Sequence, residues 1–227
     1  MAEAKDLGEI IEASYTFIDH NRSHIPYGKG ITDQLAYDYS NRYKLPLRIA
    51  VSAFKYLEGL NMTKADYQDK YILDAGSGLG DFKRALKGMG VKAEVVNLDD
   101  AKTWGIYNTD VVGKVEALPF ADNSFDVAVL NYVFPFVIDE TIDPSYAANQ
   151  LRELIRVTKK GGIIRYRPLR MFDPQVREGS QRVMIEVTKR ALEALAEIYQ
   201  QNPDMKVQIT RAIGDDNTYD EILEIVK

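Results

Sequence analysis

The spacing of apolar residues changes period once along the chain, near residue 70. Before that point it is helical. Leu7, Ile10, Ile11, Ser14, Tyr15, Phe17 and Ile18 recur at three- and four-residue intervals, which predicts a first helix. That helix ends before Pro26, because the residue ahead of a proline avoids the α region. Tyr27-Gly28-Lys29-Gly30 reads as a turn, and Thr32 or Asp33 caps a second helix to about Arg42. A third helix is expected from Leu45 to Leu60, with Ile49, Ala50, Ala53, Phe54, Leu57 and Leu60 on one face. From Lys70 onward, short apolar runs alternate with helical stretches. Strands are expected at 70–75, Ala93–Leu98, Val111–Val115, Phe125–Asn131 and Ile163–Arg167. Helices are expected at Phe82–Met89, Pro144–Thr158 and Gln175–Gln201, with Lys159-Lys160-Gly161-Gly162 as a turn. Val207–Ile213 alternates as a strand, and Tyr219–Val226 reads as a strand or a short helix. Such β–α–β alternation implies an α/β fold with a parallel sheet and right-handed crossovers. The change of period divides the chain into an N-terminal helical lid or cap, residues 1–69, and an α/β domain, residues 70–227.

The segment Asp74-Ala75-Gly76-Ser77-Gly78-Leu79-Gly80 joins the first of these strands to its helix. Glycine at alternate positions removes Cβ atoms that would hold a ligand away from the backbone. Such a turn is expected to leave amide N–H groups free near a helix N-terminus. Asp74 closes the strand, where open α/β sheets place their ligands. A dinucleotide loop of the G-x-G-x-x-G type needs a further glycine where Asp81 stands.

Composition narrows the choices. The 227 residues are 45% hydrophobic and 28% charged, which is enough apolar material for a core. The net charge of −5 makes a broad nucleic-acid partner unexpected, because phosphate backbones need a basic face. There is no cysteine, so disulfides, thiolate metal sites and cysteine nucleophiles are excluded. His20 and His24 are the only imidazoles, and no metal site is expected. No signal peptide pattern and no apolar run of about 18 residues is present, so the expectation is a cytoplasmic protein without a membrane span.

Several segments, in order, resemble the class I S-adenosylmethionine-dependent methyltransferases. Asp74 to Gly80 resembles the D-x-G-x-G-x-G of motif I. Val95-Val96-Asn97-Leu98-Asp99 ends the second strand on an acid. Gly113-Lys114-Val115-Glu116-Ala117-Leu118-Pro119-Phe120 is similar to the G-D-A-E-x-L-P-F segment, and Ser124 to Asn131 to S-F-D-V-V-x-S. Leu151-Arg152-Glu153-Leu154-Ile155-Arg156-Val157-Thr158-Lys159-Lys160-Gly161-Gly162 is similar to L-R-E-x-x-R-V-L-K-P-G-G. The resemblance implies a Rossmann-like, seven-stranded, mostly parallel sheet with helices on both faces, closed by a hairpin. It implies S-adenosylmethionine as cofactor. Gly76, Ser77, Gly78 and Gly80 would approach its methionine part, and Asp74 its amino group. Asp99 would take the ribose, Val115 would give an N–H to the adenine, and Asn131 would border the methionine end. Lys114 stands where the family often carries an acid, and lysine has no acceptor. The adenine bond is therefore absent or supplied by a neighbour such as Glu116. Asp100 stands where an apolar residue usually covers the adenine.

Methyl transfer from a sulfonium demands alignment and exclusion of water, and a base only if the acceptor must lose a proton. Candidates on the acceptor side are His20, His24, Tyr27, Tyr132 and Arg167. Tyr132, Phe134 and Phe136 could equally be pocket walls, and the histidines surface groups. Arg165 and Arg167 share one face of a central strand, with Arg170 just beyond. They either bind an anionic acceptor or pair with acids of a neighbouring helix. The expected partner is a small methyl acceptor, anionic or aromatic. The alternative is a non-catalytic protein of the same fold acting as a binding or regulatory partner.

Overall fold

A computed structural model describes residues 31–100, 108–133, 143–167, 178–213 and 219–227. Helix α1 is Ile31–Tyr43 and α2 is Leu47–Leu57, extended by a 3-10 turn, Glu58–Leu60. A short α3 spans Lys64–Tyr67. There follow β1 (Lys70–Ala75), α4 (Asp81–Gly88), β2 (Ala93–Asp99), β3 (Val111–Val112) and β4 (Phe125–Asn131). The chain continues through α5 (Tyr146–Val157), β5 (Thr158–Arg167), α6 (Glu178–Gln201), β6 (Lys206–Ile213) and β7 (Tyr219–Val226).

The seven strands form one sheet in the order β3-β2-β1-β4-β5-β7-β6. Pairings are parallel from β3 to β5, and β7 runs antiparallel to both β5 and β6. The closing hairpin is therefore strand on both arms, which settles Tyr219–Val226 as β7. Strand order reverses between β1 and β4, so the crevice beyond their carboxyl ends is the ligand position of an open α/β sheet. Among the described residues no helix is long and apolar enough to cross a membrane.

Helix α2 begins at Leu47 rather than Leu45, because Pro46 sits at its N-cap with extended backbone (ψ 142°). The amides of Ile49 and Ala50 donate to the Pro46 carbonyl. Its far end tightens into the 3-10 turn and stops at Asn61, whose φ of 50° is left-handed. The sequence reading missed α3, a single turn stabilised by a capping box in which the Thr63 amide donates to Asp66 at 2.7 Å. Residues 159–162 are not a separate turn. They bulge within β5, between the Phe125–Thr158 and Val127–Ile163 pairings. Lys159 reaches Asp126 at 2.8 Å, and the Lys227 amide donates to the Gly162 carbonyl at 3.0 Å, so the bulge is bound on both sides.

The two faces of the sheet bury different cores. One face packs Leu73, Leu98, Ala128, Leu130, Ile164 and Leu223 against α5 and α6. The other packs Ile72, Val95, Val127 and Val129 against α2, α3 and α4. Period-two alternation puts Asp74, Asn97, Asp99, Asn131, Arg165, Arg167 and Glu224 on this second face. All of them except Arg165 are counted among the buried polar groups, and most lie towards the carboxyl ends of their strands.

Candidate active site

The glycine turn leaves β1 and folds against the end of β2. Gly76, Gly78 and Gly80 have φ of 74°, 54° and 67°. These left-handed conformations are open to glycine at little cost. A Cβ on Gly76 would also collide with the Val133 side chain. Four of the turn's amides are bonded within the protein rather than free. Gly76 and Ser77 donate to the Leu98 carbonyl at 2.7 and 2.9 Å, Gly80 to Ser77 at 2.9 Å, and Gly78 to the Asp99 carboxylate at 2.8 Å. The turn is short, so its own closure and its contact with β2 consume these donors. At the start of α4, Asp81 supplies the negative charge itself and pairs with Arg48 at 2.8 Å and Arg84 at 3.5 Å.

What the crevice does present is unsatisfied side-chain oxygen. Asp74 is fully buried; its Oδ1 accepts from the Tyr56 hydroxyl at 2.8 Å, while Oδ2 has no hydrogen-bond partner. Burial pushes its carboxyl up to about 7; the Tyr56 hydrogen bond works against that, and the Asp99 charge adds to it. Ser77 Oγ, Asn97 Oδ1 and Asn131 Oδ1 are likewise buried and unbonded. Buried polar atoms without partners are costly and uncommon, and these four lie on the carboxyl ends of β1, β2 and β4 and on the turn after β1.

Asp99 is buried and held by the Gly78 amide, and its own carbonyl accepts from Gly113 at 3.0 Å. Asn97 and Asn108 were not singled out from the sequence. Asn97 Nδ2 donates to the Asn108 carbonyl at 2.8 Å, and Asn108 Nδ2 donates to Leu79 at 3.0 Å. Together they fasten the glycine turn to the segment before β3. The available signal was an amide inside the apolar run Val95 to Leu98.

Val115 is buried, and Lys114 is exposed on a tight turn closed by the Ala117 amide to the Lys114 carbonyl, 3.2 Å. Asp100 is exposed and Glu116 half-buried. Burial, then the charges of Glu116 and Asp100, hold the Tyr146 phenol well above its ordinary range, so these three side chains share one neighbourhood. Tyr146 is another residue the sequence reading passed over. The L-R-E-x-x-R segment is a clamp on this turn. Glu153 accepts from the Leu118 amide at 2.7 Å, and Arg156 donates to the Leu118 and Phe120 carbonyls at 3.0 and 2.8 Å. Arg156 also binds Glu153 at 2.8 Å, which holds the glutamate below its ordinary range against a smaller effect of burial.

Beyond β4, Tyr132 takes a left-handed φ of 58° and donates its amide to the Arg167 carbonyl at 2.8 Å. Its ring has the Arg167 guanidinium at 4.7 Å and the Lys55 ammonium at 5.4 Å from the centroid. Arg167 also donates to the Tyr132 hydroxyl at 3.0 Å. Arg167 is fully buried and lies so close to Gly59 that a side chain there would collide with it. Arg165 does form an internal ion pair, with Glu224 at 3.1 Å, but the acid comes from strand β7 rather than from a helix. Thr210, Gln208 and Asn61 also donate to Glu224. His20, His24, Tyr27, Phe134, Phe136 and Arg170 lie outside the described residues. Among the described residues no group of three or more His, Asp or Glu side chains could hold a metal.

Residues 73–166 match the family profile described as "Methyltransferase domain". A demethylmenaquinone methyltransferase of Corynebacterium urealyticum is 35% identical over 96 residues, covering 42% of this chain and 37% of that protein. One from Paenarthrobacter aurescens is 31% identical over 144 residues, covering 62% and 53%. The chain thus spans about half or less of the length of these relatives. Among solved structures, a Clostridium thermocellum protein assigned provisionally as an rRNA methylase is 18% identical. It covers 72% of this chain and 92% of its own, with a TM-score of 0.51, and shares the fold.

Proposed function

We propose, from the premise that residues 73–166 are a methyltransferase domain, that this chain transfers a methyl group from S-adenosylmethionine to a small organic acceptor. The observation that carries the reading is the set of orphaned buried oxygens, Asp74 Oδ2, Ser77 Oγ and Asn131 Oδ1, at the carboxyl edge of β1 and β4. A ligand bearing an ammonium and other donors satisfies that set. When bound, the cofactor supplies an activated methyl group on a sulfonium, and displacement at that carbon needs no metal. The chain's own residues bind and orient. Asp74 takes the amino group, and Gly76, Ser77, Gly78 and Gly80 bring the turn close to the methionine part. Asp99, aimed by the Gly78 amide, takes the ribose. The Val115 amide meets the adenine, with Glu116 and Asp100 at its rim, and the Glu153–Arg156 clamp keeps that wall in place.

On the acceptor side, Tyr132 flanked by Lys55 and Arg167 forms an aromatic wall with cationic support. That environment suits a flat acceptor carrying an ionisable hydroxyl, in line with the demethylmenaquinone named for both relatives. The helical segment before β1 reaches the crevice through Lys55 and Tyr56 of α2, and His20, His24 and Tyr27, expected on the acceptor side, lie outside the described residues. The test is calorimetry with S-adenosylmethionine and S-adenosylhomocysteine, followed by labelled methyl transfer to a panel of hydroquinones, phenols, amines and carboxylates. Binding followed by transfer to a hydroquinone or phenol supports the proposal, and absence of binding at high micromolar concentration sinks it. Binding with no transfer to any acceptor favours a non-catalytic role, for which Lys114 and Asp100 are the motivating departures.

A further inference from the structure

Tyr56 lies in α2, outside every segment that carries the methyltransferase resemblance, yet it touches the acid at the head of the glycine turn. Its hydroxyl donates to Asp74 Oδ1 at 2.8 Å, and its ring stacks on Phe82 of α4 with centroids 4.1 Å apart. The Tyr67 hydroxyl of α3 donates to the Tyr56 carbonyl at 2.7 Å, so the tyrosine is fixed from its backbone as well. The contact spans 18 residues of chain and joins the helical segment directly to the sheet's carboxyl edge.

We propose that Tyr56 is a positioning residue for cofactor binding: by holding Oδ1 of Asp74 it fixes the carboxyl group and turns Oδ2 towards the cofactor's ammonium. This rests on the reading of the crevice as an S-adenosylmethionine site. Among the described residues, the titratable groups acting on Asp74 include Tyr56 from α2, Tyr67 from α3 and Asp99 from β2. Asp81 of α4 is already engaged by Arg48 and Arg84. The flanking strand positions are Asn97 and Val129, which do not titrate. Burial raises the Asp74 carboxyl to about 7, so near neutral pH its proton is readily exchanged. An ammonium against Oδ2 favours the carboxylate and expels that proton. The Tyr56 hydroxyl favours the carboxylate too, so removing it makes Asp74 harder to ionise.

Isothermal titration with S-adenosylhomocysteine, in buffers of different ionisation enthalpy, counts the protons released on binding. Because burial pushes the Asp74 carboxyl up to about 7, the wild-type protein releases a fraction of a proton on binding at pH 7. Tyr56→Phe keeps the ring stack, releases more than the wild type, and binds less tightly. If the carboxyl moves up by about one pH unit, the affinity deficit grows from about two-fold at pH 8 to about ten-fold at pH 6. Asp74→Asn, which binds more weakly, abolishes the release; if Tyr56→Phe does not fold, Tyr67→Phe, which frees the Tyr56 backbone, shifts release and affinity in the same direction. Binding with equal proton release and equal affinity in wild type and Tyr56→Phe overturns the proposal and leaves the functional reading standing. So does proton release that persists in Asp74→Asn. No binding by the wild-type protein overturns both.

Discussion

The sheet shows one face to α5 and α6 and the other to α2–α4, and the two are built differently from the same strands. Under α5 and α6, each strand contributes apolar side chains along its length, and the main polar pair is Tyr166 with Gln150 at 3.0 Å. On the opposite face the strands start apolar, with Ile72, Val95 and Val127. They end polar, with Asp74, Asn97 and Asp99, Asn131, and Arg165 and Arg167. The first arrangement is mainly apolar, and apolar burial is favourable and places little demand on partners. The second retains groups that are expensive to bury, several without a partner, and those collect at the edge where the proposed ligand enters.

That contrast can be broken or sharpened by substitution. The largest effect is expected from Phe125→Ala on the apolar face. Denaturant unfolding should show a loss of about 3–5 kcal/mol with cofactor affinity unchanged at temperatures where the variant is folded. Glu224→Leu leaves Arg165 buried without its carboxylate and should cost about 3 kcal/mol. A near-neutral result would mean the Arg165–Glu224 pair does not form as described. Asp74→Asn should act the other way. Burial raises the folded carboxyl of Asp74 to about 7, so its favourable contribution is complete below the unfolded value near 4 and is lost as pH rises towards 8. Removing the charge should therefore stabilise the protein at pH 8 by roughly 2–4 kcal/mol relative to wild type, and by little at pH 4. Glu224 has the opposite sign. Burial alone would raise it, but Thr210, Gln208 and Arg165 together hold it low, so its stability is present at neutral pH and lost in acid.

Smaller effects test the edge itself. Asp99→Ala should weaken S-adenosylmethionine binding by about 1–3 kcal/mol in calorimetry, and unchanged affinity would show that the ribose is held elsewhere. Lys114→Ala, at an exposed turn, should change stability by less than about 0.5 kcal/mol. A large change in cofactor affinity in that variant would give the lysine a role that its exposure argues against.

Much of this was legible in the order of residues. The strands Lys70–Ala75 and Phe125–Asn131 stood out as short apolar runs, and Gly76 to Gly80 as a turn that only glycine makes easily. The helix start expected at Leu45 lay two residues early, although Pro46 disfavours helical backbone at the residue before it. Other features depended on partners far along the chain. The buried arginines announced a need for partners without naming them, and Arg165 found Glu224 on the antiparallel arm of the closing hairpin. The L-R-E-x-x-R segment looked like a signature, and its work as a clamp on Leu118 and Phe120 emerged only once α5 lay beside that turn.

By itself the sequence determined the elements, the alternation that sorts each strand into two faces, and the chemistry of the turn. Periodicity and backbone preference are local properties, and they are written within a few residues. Tertiary structure alone decided which polar groups would be satisfied. It bound the Gly76 and Ser77 amides to Leu98 and the Gly78 amide to Asp99, gave Tyr56 to one oxygen of Asp74, and left the other without a partner. Hydrogen-bond satisfaction depends on distances across the fold, which no local pattern contains.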